Sequence, residues 1–154
     1  MPEPLTLAFL GCGRITARHA GVLRKVPGIN CRFASRNAGR AAEFNRQLGG
    51  SGSYGSYQAA IDDESVDAIV VATPPDTHLE LALAALGAGR HAVIEKPAFM
   101  HSSDVDMVAA AATSAGRLAL VAENYRYRPL LGMLRDMLTE RAVGDVRLIQ
   151  IDAV

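Results

Sequence analysis

The sequence has no tryptophan, and its aromatic residues make up 5% of 154. Charge of one sign is also missing, since sixteen basic residues are balanced by sixteen acidic ones. Without stacking aromatics or a positive field, nothing here suggests a nucleic-acid partner. Long apolar runs are absent too: none approaches the about 20 residues that a membrane-spanning helix needs, so no membrane partner is expected. The opening stretch MPEPLTLAFLGCG lacks a positively charged n-region, and its apolar run is better used as a first strand than as a leader. Two cysteines do not suggest a disulfide scaffold. The scarcity of cysteine and the lack of a signal favour the cytoplasm. What remains is 49% hydrophobic and 21% charged, an ordinary globular composition of a length that builds one sizeable core.

Short apolar runs alternate with amphipathic stretches. Leu5–Leu10 reads as a buried strand. Ile15, His19, Val22, Leu23 and Val26 then fall at helical spacing, and Pro27-Gly28 stops that helix. Residues 31–35 suggest a second strand, Ala38–Leu48 a second helix, Ser53-Tyr54 a short third strand, and residues 57–61 one or two helical turns. The run AIVVA at residues 68–72 is the most strand-like in the chain and ends at Pro74-Pro75. Thr77 and Glu80 have capping-box spacing, which predicts a helix over residues 78–88. Residues 92–94 and 118–122 complete the strands, with Ser103 and Asp106 repeating the cap spacing between them.

Strands alternating with helices, apolar on both parities, define an α/β fold with a mostly parallel, doubly wound sheet covered on both faces. Cys12 follows the end of the first strand and Cys31 begins the second. In neighbouring parallel strands those are opposite ends, too distant for a disulfide. Near the C-terminus, Leu130, Leu134, Met137 and Leu138 suit a helix, and DVRLIQIDAV reads as a further strand. The expected division is residues 1–124 as one domain, with residues 125–154 as a linker helix and the first strand of a second domain.

The motifs cluster where strands end. In FLGCGRIT, Gly11, Gly13 and Thr16 occupy the fixed places of G-x-G-x-x-G/A, although Thr16 is larger than the usual residue. The first glycine allows a tight turn and the second lets a pyrophosphate approach the backbone. The next helix, beginning at Arg14 and Ile15, offers N–H donors and a positive dipole to phosphate. About 20 residues on, the second strand should meet the adenosine ribose. An acid there favours NAD; Ser35-Arg36-Asn37 supplies none, and Arg36 suits a 2′-phosphate, so NADP is favoured over NAD. In ATPPDTH, Thr73 and Pro74 could line the cofactor. His78 lies in the first helical turn, where the dipole opposes its protonation. A neutral hydrogen-bonding role and a purely structural one both stand.

HAVIEKPAF places Glu95 and Lys96 against a buried strand, and two charges beside a core are costly unless something uses them. Lys96 falls at the same carboxyl edge as the glycine loop. A lysine there can hydrogen-bond a substrate hydroxyl or carbonyl beside the nicotinamide, and Glu95 can orient it or the nicotinamide pocket. Pro97 fixes the turn, and a cis Lys96–Pro97 bond is expected. In AENYRYRP, Asn124 falls at that edge and could bind the nicotinamide ribose or substrate, while Tyr125 and Tyr127 suit a domain junction.

GCGRIT, ATPPDTHLELALAALGAGRHAVIEKP and ENYRYRP, in this order and spacing, resemble the Gfo/Idh/MocA oxidoreductases, the family of glucose–fructose oxidoreductase and inositol dehydrogenase. The resemblance covers nearly the whole chain. It implies an N-terminal Rossmann domain, and a C-terminal α/β domain with an open, mostly antiparallel sheet. It implies hydride transfer between NAD(P) and the carbon of a sugar, cyclitol or related alcohol or ketone, in a homo-oligomer. Lys96 matches the catalytic lysine, which positions the reacting oxygen and assists proton transfer. Gly11, Gly13, Ser35, Arg36, Thr73, Pro74, His78, Glu95 and Asn124 match positions around the cofactor. Members run to well over twice this length, so nucleotide binding is expected to survive here and turnover to be weak or absent. Two other readings are a non-catalytic nucleotide sensor on the same fold and an interaction module that adds its tail strand to a partner's sheet.

Overall fold

In the computed structural model, residues 3–150 are described. Six strands form one sheet: β1 (Leu5–Leu10), β2 (Ile29–Ala34), β3 (Gly52–Tyr54), β4 (Ala68–Val71), β5 (His91–Ile94) and β6 (Ala119–Val121). The helices are α1 (Arg14–Leu23), α2 (Ala38–Leu48), α3 (Tyr57–Asp62), α4 (His78–Gly87), α5 (Ser102–Ala115) and α6 (Pro129–Thr139). Every strand pair is parallel, and the spatial order is β3-β2-β1-β4-β5-β6. Order reverses between β1 and β4, the switch point at which doubly wound sheets open a ligand crevice.

Strand parity builds two cores. Leu7 and Phe9, Cys31 and Phe33, Ala68 and Val70 face one way, with Ala20 of α1 and Ala41 of α2 packed on them. Phe33 lies at the centre of this layer, 5.8 Å from the ring of Phe9 and 6.2 Å from that of Phe44 between centroids. Ala8, Leu10, Ala34, Ile69, Val71, Ala92 and Ile94 face the other way, under Ile61 of α3, Ala82, Ala85 and Leu86 of α4, and Val108 and Ala112 of α5. Period-two alternation thus gives the central strands β1 and β4 two apolar faces, as a sheet with helices on both sides requires. Cys12 and Cys31 are both free and buried. Burial pushes both thiols up in pKa, against a smaller opposing pull from Arg40 at Cys12.

Three expectations are corrected. The Thr77–Glu80 box does not form: no side chain caps α4 at Thr77, because a 3-10 turn (Pro75–Thr77) leads straight into the helix and the Thr77 hydroxyl donates to the Pro74 carbonyl at 2.7 Å. Helix α5 starts earlier than the Ser103–Asp106 spacing suggests. His101 is its N-cap residue, and the buried Asp104 carboxylate accepts the His101 N–H at 3.2 Å. The same three-residue spacing occurs twice, and the pair that buries its acid prevails. Finally, the strand expected over residues 145–154 is not formed through Gln150; residues 151–154 lie outside the described residues. A strand needs a ladder partner for its backbone groups, and the described six-stranded sheet does not include this segment.

The chain divides into two compact units, residues up to Ala122 and residues from Glu123. In the second, α6 begins at Pro129 after a 3-10 turn (Asn124–Tyr127). The Arg128 guanidinium lies over the Tyr125 ring, 4.0 Å from its centroid. No helix among the described residues is long and apolar enough to cross a membrane.

Candidate functional site

Strand register decides which residues share an edge. Leu10 is paired with Ala34 and with Val71, and Val71 with Ile94. The residues one step further on are Gly11, Ser35, Ala72 and Glu95, so four motifs found separately in the sequence emerge side by side. Lys96 stands one residue beyond that line and is exposed.

Gly11 turns the chain out of β1 with φ +100°, a conformation that favours glycine. A Cβ there would lie 2.6 Å from the Ala72 carbonyl oxygen. Gly13 is different: a Cβ would meet nothing within 4 Å. The backbone at Gly13 therefore faces open space in which an anion can approach it closely. Gly13 is also the N-cap of α1, with no side-chain cap and no acid in the first turn. The amides of Arg14, Ile15 and Thr16 are thus left for an external acceptor, the arrangement that binds phosphate. Thr16 is fully buried, and its hydroxyl donates to the Gly11 carbonyl at 2.6 Å. The departure from a smaller third residue is accommodated inside the loop and fastens it. These residues fit a dinucleotide pyrophosphate.

At the end of β2, Ser35 is buried and its hydroxyl accepts the Asn37 N–H at 3.1 Å. Asn37 caps α2, accepting the Arg40 N–H at 3.0 Å. Arg36 is exposed, and among the described residues it has no ion-pair partner. Arg40, which the sequence reading did not single out, sends Nε to the Cys12 carbonyl at 2.9 Å. Its guanidinium consequently joins the glycine loop to the turn that carries Arg36. A second arginine four residues after Arg36, one helical turn away, is the sequence signal that could have found it.

Beyond β4, Thr73 and Pro74 form the turn into the 3-10 segment. The Thr77 proton is committed to Pro74, so Thr73 donates to the Thr77 hydroxyl, at 2.7 Å. His78 is buried, with Nε2 2.9 Å from the Thr73 carbonyl and Nδ1 3.1 Å from both the Pro97 and Ala98 carbonyls. It braces the two turns on either side of it. The Lys96–Pro97 bond is cis. Glu95 is buried; one carboxylate oxygen accepts the Lys96 N–H at 3.0 Å, and the other is 2.5 Å from His19 Nε2. That histidine contact was not legible, since His19 counted only as a member of the α1 core stripe. Asn124 is exposed in the second unit, at the start of its 3-10 turn.

A glycine loop opening the first helix of a sheet ordered 3-2-1-4-5-6 defines a dinucleotide-binding α/β domain. More particularly, the chain belongs to the Gfo/Idh/MocA oxidoreductase family with an NAD-binding Rossmann fold, whose family model matches residues 5–123. It is 30% identical over 149 residues to trans-1,2-dihydrobenzene-1,2-diol dehydrogenase of Sus scrofa, covering 95% of this chain and 44% of that protein. A 3-ketoreductase from Actinomadura kijaniata, solved as a lysine-to-alanine variant with TDP-benzene and NADP, is 28% identical with a TM-score of 0.85 over 94% of this chain and 46% of that one. Levoglucosan dehydrogenase, solved with NADH and levoglucosan, is 26% identical with a TM-score of 0.84 over 92% of this chain and 41% of that one. The chain therefore spans less than half the length of these relatives.

Proposed function

We propose that this chain is the cofactor-binding part of an NAD(P)-dependent oxidoreductase that moves a hydride between nicotinamide and a CH–OH carbon of a sugar, cyclitol or related alcohol, with NADP favoured over NAD. The observation that carries the reading is the convergence of the open α1 amides and the Lys96 turn on one sheet edge. Gly11, Gly13, Arg14 and Ile15 hold the pyrophosphate. Ser35 and Arg36 take the adenosine ribose side, and Arg40 adds a second guanidinium beside it. That region offers two cations and no acid, which supports NADP through charge-assisted contacts to its 2′-phosphate. Thr73 and Pro74 line the nicotinamide side, and Asn124 is proposed as a further cofactor contact. His78 and Glu95 act there through the turns they hold.

When bound, the nicotinamide supplies or takes up the hydride. Lys96 holds the reacting oxygen and exchanges the hydroxyl proton with it, so that oxidation leaves a carbonyl and a protonated amine. The names of the relatives support the substrate class, since they describe a cyclic diol dehydrogenase, a ketoreductase and an anhydrosugar dehydrogenase. The remaining substrate contacts, and a homo-oligomeric assembly, are assigned to the length that the relatives have beyond this match.

Titration of the chain with NADPH and NADH, followed by nicotinamide fluorescence, tests the reading. NADPH should bind more tightly than NADH, and Arg36→Ala should remove most of that preference. Lys96→Ala should leave binding nearly intact. No binding of either cofactor would overturn the proposal, and a preference for NADH untouched by Arg36→Ala would overturn its NADP half.

A further inference from the structure

We infer that His19 and Glu95 form a positioning strut that couples the phosphate-binding helix to the turn carrying Lys96; this rests on the cofactor reading above and extends it to how the site is held in register. Helix α1 belongs to the glycine loop after β1, whereas Glu95 follows β5, and β4 lies between those two strands. Two strand spacings separate β1 from β5, about 10 Å. Glu95, a buried acid at this edge, reaches back across that gap to an imidazole on the second turn of α1. The connection therefore spans the switch-point crevice in which a dinucleotide lies.

The chemistry of the contact is directional. An ionised carboxylate only accepts, so His19 Nε2–H donates to Oε1. Oε2 meanwhile accepts the backbone N–H of Lys96, at 3.0 Å. One carboxylate thus holds the lysine's main chain with one oxygen and is itself held by α1 with the other. The Glu95 side chain is 9% exposed and that of His19 35%. Removing the imidazole would leave a buried carboxylate oxygen without its donor, and such a group recovers solvation by moving. The movement falls on the residue bonded to it, Lys96. His19 and Glu95 are positioning residues in this account, since neither needs to touch substrate.

The chain contains two lysines, Lys25 and Lys96, so reductive [13C]methylation of the intact chain gives a small set of NMR signals in which Lys96 is assigned by comparison with Lys25→Arg. In His19→Ala the Lys96 methyl signal should shift and broaden while Lys25 stays in place. NADPH affinity should fall roughly fivefold, because a loosened α1 must be ordered again when its amides take the phosphate. His19→Gln carries an amide N–H to the same carboxylate and should restore both readouts. A Lys96 signal and an affinity unchanged in His19→Ala would overturn the strut. So would equal damage in the folded Ala and Gln variants, which would make His19 a packing residue only. Failure of the wild-type chain to bind NADPH or NADH would instead count against the cofactor reading, because the Lys96 signal of the free chain decides the strut without any cofactor.

Discussion

At the scale of single residues, the two loop glycines make opposite demands. Gly11 is fixed by φ +100° and by a Cβ position 2.6 Å from the Ala72 carbonyl oxygen. Gly11→Ala should cost about 2–4 kcal/mol of folding stability, the sum of left-handed strain and backbone overlap. Gly13 has φ −111° and open space where its Cβ would go. Gly13→Ala should therefore fold normally and yet weaken NADPH binding, because the methyl group occupies the approach of the phosphate. Urea denaturation and cofactor titration of both variants separate the two roles, and full NADPH affinity in Gly13→Ala would refute the second. Such demands were legible because the loop is local in sequence. Arg32 and Asp63, far apart in the chain, were not. Asp63 is held down from 3.8 to about 2, chiefly by hydrogen bonds from Ser65 and Tyr54, with a smaller contribution from the Arg32 guanidinium. A depressed carboxyl stabilises the fold above its unfolded pKa, and that contribution is lost as pH falls from about 4 to 2. Asp63→Asn should cost about 1 kcal/mol at pH 7, allowing for solvent screening of a partly open carboxylate. It should also flatten the acid limb of the stability profile between pH 4 and 2. A limb of unchanged steepness would refute the assignment.

At the scale of elements, the parity of the strands was readable and their ends were less so. Leu5–Leu10 forms as the apolar run suggests, while β2 begins at Ile29, two residues before the expected start. Apolar patterning reports burial, and a parallel ladder continues for as long as its neighbour offers groups to pair with. Leu5 pairs with Ile29, so β1 sets the length of β2. Cap positions erred for a related reason: a three-residue polar spacing recurs by chance, and burial of Asp104 selects between the two candidates ahead of α5. Where the cap was unambiguous in geometry, at Asn37, Asn37→Ala should cost about 1 kcal/mol and loosen the turn that presents Arg36. Phe33 tests the packing of the layer under α1 and α2. It is fully buried and meets two aromatic rings, so Phe33→Ala should lower stability by about 3–5 kcal/mol. A loss under 1 kcal/mol in chemical denaturation would mean that this layer collapses around the cavity.

At the scale of the whole molecule, the fold class was legible because every strand is followed by a helix and the central strands β1 and β4 are apolar on both faces. The pairing of residues between separate loops was not, since no local pattern says that His19 meets Glu95 or that Arg40 meets Cys12. The tail strand is not formed through Gln150, although its apolar alternation suggested one. The distribution of burial then sets the last expectation. Every buried residue among those described lies between Thr6 and Ala112, and both cores are built from residues no later than Ala119. From Glu123 to Gln150 no described side chain is buried. A chain ending after Ala122 therefore keeps every described buried residue, and apolar burial is what drives folding. It should unfold in a single cooperative transition with a Tm within a few degrees of the 154-residue chain, since about 1 kcal/mol moves Tm by only a few degrees at this size. It should retain NADPH binding through the glycine loop and Arg36. A drop in Tm of more than about 10 °C, several kcal/mol on the same scale, would show that residues from Glu123 onward belong to the folding unit, and the division of the chain at Ala122 would have to be abandoned.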